Sequence, residues 1–212
     1  MALLTPETID VAATVLQWAR DFLATEHPEM RRPGRNQVVC PFVGPALDSN
    51  SFYLSFHPEI SGNDEDVIER LVLDQIEMFK TLGPSSPGGR ARKALLLVFP
   101  GLPESRVHVL DSVHEKVKTQ FVQNVLMLGQ FYESCEERSV YNRAFRVSRS
   151  PVPLIAIRHM AVHDILFCGE DREWFDAYNH HFGGKFNSKR ELGDYNSHLI
   201  AYYARAKEKW QQ

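Results

Sequence analysis

The side chains best suited to chemistry in this sequence are an arginine-rich stretch, a spaced histidine pair and one histidine set among apolar residues. Arg143, Arg146, Arg149 and Arg158 place four guanidinium groups within 16 residues. Such a cluster suits bidentate capture of carboxylates or phosphates. The plain alternative is surface arginines paired with Glu133, Glu136 and Glu137. Strand alternation sends Arg146 and Ser148 to one side and Arg149 to the other, unless Pro151 marks a bulge. His159 and His163 stand four apart, a spacing that on a helix would turn both toward one metal. Their local pattern is that of a strand, and no Glu stands between them as in a zincin. They read as structural residues before they read as a ligand and a hydrogen-bonding partner at a strand end. His114 falls inside the apolar stripe of Leu110, Val117, Phe121 and Val125 when residues are counted at about 100° each. A buried imidazole needs a hydrogen bond or a metal. His114 is therefore a core histidine, a metal ligand or an acid–base group.

Other signals are weaker. No G-x-G-x-x-G, Walker loop, G-x-S-x-G or H-E-x-x-H is present. Gly88-Gly89, with Arg90, Arg92 and Lys93 behind it, reads as a surface loop more than as a phosphate cradle, since no helix start follows. His180-His181 before Gly183-Gly184 reads as a helix end whose imidazoles favour the negative pole of the dipole.

The elements that must hold these residues follow from periodicity. Thr5-Pro6-Glu7 starts a helix carrying Val11, Val15, Trp18, Phe22 and Leu23, ending near His27-Pro28. Arg31 to Arg35 is a basic turn leading to the short segment Val38–Phe42. Phe52, Leu54 and Phe56 alternate as a strand. A helix opens at Asn63–Asp66, shows Ile68, Leu71, Val72, Ile76, Phe79 and Leu82 on one side, and stops at Gly83-Pro84. Ala94–Phe99 lacks polar alternation and belongs in the middle of a sheet with both faces covered. A third helix is expected over about Asp111–Phe131, an extended pair over Arg143–Met160 broken at Ser150-Pro151, and a short strand at Ile165–Cys168. Two helices close the chain, and Tyr203 and Trp210 on the last hint at a packing or homodimer surface, with an intramolecular contact the preferred reading. The expected class is α+β, a small mixed or antiparallel sheet flanked by helices with helical extensions at both termini. One domain spans 1–212: an N-terminal helix (1–29), a core (30–168) and C-terminal helices (169–212).

The bulk composition fits this. The chain has 212 residues, 43% hydrophobic and 24% charged, near the averages for a globular protein. Its 24 Lys and Arg against 27 Asp and Glu leave −3 at pH 7, which argues against duplex DNA or an anionic membrane as partner. The longest apolar runs, Ala94–Phe99 and Val152–Ile157, are six residues each, and about 20 are needed to span a bilayer. Met1–Leu16 has no basic n-region. Cys40, Cys135 and Cys168 make an odd, widely spaced set with no disulfide framework. A reducing cytoplasm is the expected compartment.

Four segments together resemble a known family: Cys40-Pro41-Phe42-Val43 with Ala46-Leu47; Leu95 to Pro100; Leu110 to Glu115; and Phe145 to Leu154. In this order the chain resembles an uncharacterised bacterial family, often found beside natural-product pathways, that carries only an unknown-function label. More distantly it is similar to the YqcI/YcgG (GntA-like) proteins, some of which are heme-dependent enzymes hydroxylating a guanidino nitrogen. The likeness covers roughly residues 30 to 168. It implies a b-type heme, oxygen or peroxide, and a small amine or guanidino substrate. Tyr132 stands where relatives are expected to show His, so an axial ligand there would be Tyr132 or Cys135. In order of preference, the iron ligand is His114, Tyr132 or His159.

On that reading the chain is a heme-dependent oxygenase or N-hydroxylase of bacterial secondary metabolism. Arg146, Arg149 and Arg158 would hold propionates or a substrate carboxylate. Cys40 and Phe42 would line the cofactor slot, and His159 or His163 would move protons. The alternatives are a non-catalytic protein that binds a small molecule or heme, and a metal-dependent or cofactor-free enzyme using His159 and His163.

Overall fold

The computed structural model describes residues 5–32, 35–84, 92–187 and 197–210, of which 31, 32, 35 and 36 are described by their backbone alone. The expected surface loop at Gly88-Gly89 and the centre of the basic turn, Pro33-Gly34, lie outside the described residues. The chain forms two compact units: Met1–Val117 with Leu128–Arg158, and Lys118–Met127 with His159–Gln212. The class is α+β, as the periodicities predict.

In the first unit, helix α1 (Pro6–Trp18) begins as expected. Thr5 Oγ1 accepts the Thr8 amide at 3.2 Å, and Pro6 takes the first-turn position where no donor is lost. The helix ends earlier than its apolar spacing suggests. It widens into a π turn (Ala19–Leu23), and the chain then forms an antiparallel ribbon of β1 (Glu26–Arg32) and β2 (Arg35–Val38). Helix α2 (Val43–Asp48) follows, then β3 (Phe52–Phe56) and helix α3 (Glu65–Thr81). Asp64 caps α3 by accepting the Val67 amide at 3.2 Å, and Ile68, Val72, Ile76 and Phe79 form its buried stripe.

Strand β4 (Ala94–Val98) is buried at all five positions, which accounts for its lack of alternation. The main sheet has the order β3-β4-β6-β5, with β5 spanning Leu126–Phe131 and β6 Leu154–His159. β3 runs parallel to β4, and β4 antiparallel to β6 with Leu96 opposite Ala156. Ala94, Leu96 and Val98 pack with Val15 and Ala46 on one face, and Leu95 and Leu97 are buried on the other.

Helix α4 (Val109–Gln123) is shorter than its apolar spacing predicts. The expected continuation to Phe131 is strand β5. Val125 takes a positive φ of 59°, a conformation a β-branched residue rarely adopts, and this breaks the helix and turns Leu126 into the sheet. Arg143–Pro153 is irregular, with turns, bends and an isolated antiparallel bridge of Arg146 to Arg138, rather than the first half of an extended pair.

In the second unit, Ile165–Cys168 forms a single helical turn, α5, and not a strand. Asp171 caps α6 (Arg172–Phe182) through the Trp174 amide at 2.9 Å, and α7 spans Ser197–Trp210. Phe175, Tyr178, Leu199, Tyr203 and Ala206 share a core with Met160, Ile165 and Cys168. Tyr203 stacks on Phe186 at 4.0 Å, and the Trp210 indole donates to the Gly169 carbonyl at 2.9 Å. Both residues thus make contacts within the chain, the preferred reading of their place on the last helix. No described helix is long and apolar enough to cross a membrane.

Candidate functional site

The most concentrated polar chemistry of the first unit sits where the start of α4 meets the turn after β5. Apolar pairing in the sheet carries Phe131 to the strand end and leaves Tyr132 just beyond it. There its amide donates to the Ser148 carbonyl and its own carbonyl accepts the Ser150 amide. The ring is 3% exposed, yet its hydroxyl reaches the Asp111 carboxylate, donating to Oδ2 at 2.7 Å. His108 Nδ1 lies 3.1 Å from the same oxygen and 3.3 Å from the Tyr132 hydroxyl. The three groups form a triangle that runs from a buried phenol to an imidazole whose side chain is 73% exposed. Asp111 occupies the first turn of α4, where the helix dipole favours a carboxylate.

Electrostatics at this triangle favour a retained phenol proton. Burial first, and then the hydrogen bond to Asp111, push the Tyr132 hydroxyl far above its ordinary range. Cys135, 1% exposed beside it, has its thiol pushed up chiefly by burial. Neither group is an anion at neutral pH. Asp111 Oδ1 makes no hydrogen bond among the described residues, and the Asp111 side chain is 40% exposed. One oxygen is therefore fixed and the other is open to a partner.

The arginine stretch resolves into the plain alternative for two of its members. Arg146 Nε donates to Glu136 Oε2 at 2.7 Å, and Arg149 Nη2 to Glu136 Oε1 at 2.9 Å. Arg146 also donates to the Arg143 and Ala144 carbonyls. The alternation that would separate the two guanidiniums fails because the segment turns back along residues 135–139. Val147 N donates to the Glu137 carbonyl, Ser139 N to the Phe145 carbonyl, and the Trp18 indole to the Arg149 carbonyl. Hydrogen bonds from Arg146 and then Arg149 hold the Glu136 carboxyl below the ordinary carboxylate range. Arg158 lies on β6 with its guanidinium carbon 4.2 Å from the centre of the Phe42 ring, a cation–π contact. Cys40, two residues before Phe42, is half-buried and anchored through its amide to the Leu23 carbonyl.

The remaining candidates are dispersed. His114, on α4 one turn past Asp111, is half-buried at the edge of the stripe, whose centre is taken by Leu110, Val113, Val117 and Phe121. His159 ends β6 and His163 sits in a 3-10 turn, so their spacing of four is not that of a helix face. Both belong to the second unit; His114, Tyr132, Cys40, Phe42 and the arginines belong to the first. The carboxylate beside His163, Asp164, is fully buried and accepts the Ala161 amide at 2.7 Å.

Three of the residues assigned to heme are engaged with partners in the chain itself. A tyrosine ligand binds iron as phenolate, whereas Tyr132 holds its proton against Asp111. Arg146 and Arg149, meant for propionates, already grip Glu136. Among the described residues no group of three or more His, Cys, Asp or Glu side chains is placed to hold a metal ion.

His108 and Asp111 escaped the sequence reading. Their signal was an imidazole one turn before an acid at a helix start, overshadowed by His114 within the apolar stripe.

Residues 12–192 match the family model described as Domain of unknown function (DUF6875). The chain belongs to this family. No curated protein and no solved structure matches it. Membership in DUF6875 places the Tyr132 turn, the start of α4 and Glu136 with its two arginines inside the matched span.

Proposed function

We propose that this DUF6875 chain binds a small cationic molecule, an amine or a guanidine, at the Asp111 carboxylate. The observation that supports this reading is the division of labour within that carboxylate. Oδ2 is held by the buried Tyr132 hydroxyl, while Oδ1 is open on a side chain that solvent reaches. A guanidinium or ammonium donating to Oδ1 gains a charge-assisted hydrogen bond, and Tyr132 keeps the acceptor from rotating away. His108 closes the triangle on the wet side.

The test is calorimetric titration with a panel of guanidine, agmatine, arginine, spermidine and a neutral urea isostere of agmatine. The cations should bind and the isostere should not, and Asp111→Asn should weaken binding at least tenfold. Equal binding of the isostere, or undiminished binding by the Asn variant, refutes the reading. The rival reading, a heme-dependent N-hydroxylase, shares the substrate class and is separated by a visible spectrum. A stoichiometric Soret band after expression with iron and a heme precursor would favour it over plain binding.

A further inference from the structure

A second constellation lies at the end of β3, in residues that the binding reading does not use. Strand alternation turns Phe52, Leu54 and Phe56 toward the apolar cluster of Val15, Ala46 and Leu96, so Ser55 and His57 share the opposite side. Ser55 Oγ lies 3.0 Å from His57 Nε2, and His57 Nδ1 lies 3.3 Å from Glu59 Oε1. Hydroxyl, imidazole and carboxylate thus stand in one hydrogen-bonded row from three residues at i, i+2 and i+4.

The row fits a neutral imidazole that carries its proton on Nδ1. An ionised carboxylate only accepts, so the hydrogen bond to Glu59 needs the proton on Nδ1. The neutral ring then presents a lone pair at Nε2, and the Ser55 hydroxyl donates to it. This is the arrangement in which an imidazole removes a hydroxyl proton as general base while a carboxylate orients it.

The row is held rather than draped over the surface. The His57 amide donates to the Val98 carbonyl at 2.9 Å, its carbonyl accepts the Ile60 amide, and its ring lies 5.9 Å from that of Phe99. Gly101 packs so closely on the following turn that a Cβ there would sit 2.2 Å from the Pro58 carbonyl oxygen. A side chain at 101 would push the turn away. The His57 side chain is 14% exposed and Glu59 is 65% exposed, so the imidazole is sheltered while Ser55, half-buried, remains reachable.

We propose that Ser55 is an acyl-accepting nucleophile, with His57 as its general base and Glu59 as a positioning residue, acting on activated esters of small carboxylic acids. The Ser55 oxygen bonds to the ester carbonyl carbon as its proton passes to His57 Nε2. The carbon–oxygen bond to the leaving alcohol breaks, and that alcohol departs with the proton from His57. Water, deprotonated by the same nitrogen, then hydrolyses the acyl-serine and returns the hydroxyl. No redox change occurs, and water is the sole co-reactant.

The experiment treats the purified full chain with a fluorophosphonate probe, reads the intact mass over time and maps the adduct. The expected result is one adduct on Ser55, absent in Ser55→Ala, with labelling slowed about a hundredfold in His57→Gln, the usual scale for loss of a general base. Glu59→Gln should slow labelling by less, because its carboxylate is mostly in water. Far-UV circular dichroism and melting curves confirm that each variant is folded. No labelling of the wild type, an adduct elsewhere, or an unchanged rate in His57→Gln overturns the proposal.

Discussion

Replacing Tyr132 with Phe tests the triangle most directly, because it removes one oxygen from a ring that stays buried. The lost interaction is a hydrogen bond to a charged acceptor, for which about 1.5–3 kcal/mol is typical. Asp111 is 40% exposed, so water takes over part of the acceptor. The lower end, about 1.5 kcal/mol, is therefore expected at neutral pH. The pH dependence follows from the raised phenol. A group whose native form holds its proton more tightly than the unfolded chain loses its advantage once the unfolded form ionises. For tyrosine that begins near pH 10, and each further pH unit costs the native state about 1.4 kcal/mol. The phenylalanine variant lacks this dependence at position 132, while Tyr178 and the other tyrosines act equally in both proteins. The gap between wild type and Tyr132→Phe should thus be about 1.5 kcal/mol at pH 8 and nearly nil at pH 11. In urea the first gap corresponds to roughly half a molar in midpoint. Denaturation curves at the two pH values read both numbers. Coincident midpoints at pH 8, or a gap that stays constant to pH 11, would refute the account of the triangle.

Lys93, 3% exposed, donates from Nζ to the Phe79 carbonyl at 2.6 Å and to the Leu82 carbonyl at 2.8 Å, which secures the end of α3. Lys93→Met keeps the stem but strands two acceptors, and a loss of about 2–3 kcal/mol is expected in thermal or chemical melts. Glu136→Gln releases Arg146 and Arg149. Because hydrogen bonding lowers the Glu136 carboxyl, its contribution is present above the unfolded value, about 4.3, and fades as pH falls through the lowered native value. The variant should therefore show a flatter acid limb in a stability–pH profile, with little change near neutrality.

Much of the framework was legible because it is local. Thr5 with Pro6 announces one helix start by capping chemistry that involves only the next three residues, and the acids of Asn63–Asp66 announce another at the positive pole of the dipole. The unbroken apolar run at Ala94–Val98 announces a strand buried on both faces. The boundaries set by distant partners were not legible. Leu126–Leu128 continue the apolar spacing of α4, and only a left-handed Val125 and a place in the sheet make them a strand. Ile165–Cys168 is as apolar as a short strand, and packing with Phe175 and Leu199 settles it as one helical turn.

The same division holds for the candidate sites. Residue types alone established that this chain has arginines able to grip carboxylates, imidazoles available for proton chemistry and enough apolar surface for a core. Tertiary structure alone decided which partner each one met. Glu136 took Arg146 and Arg149 because turns reversed the chain between them. Asp111 met Tyr132 because a sheet edge and a helix start converge, 21 residues apart in sequence. A hydrogen bond depends on distance and direction in space, and spacing along the chain reports those only within a single helix turn or strand repeat.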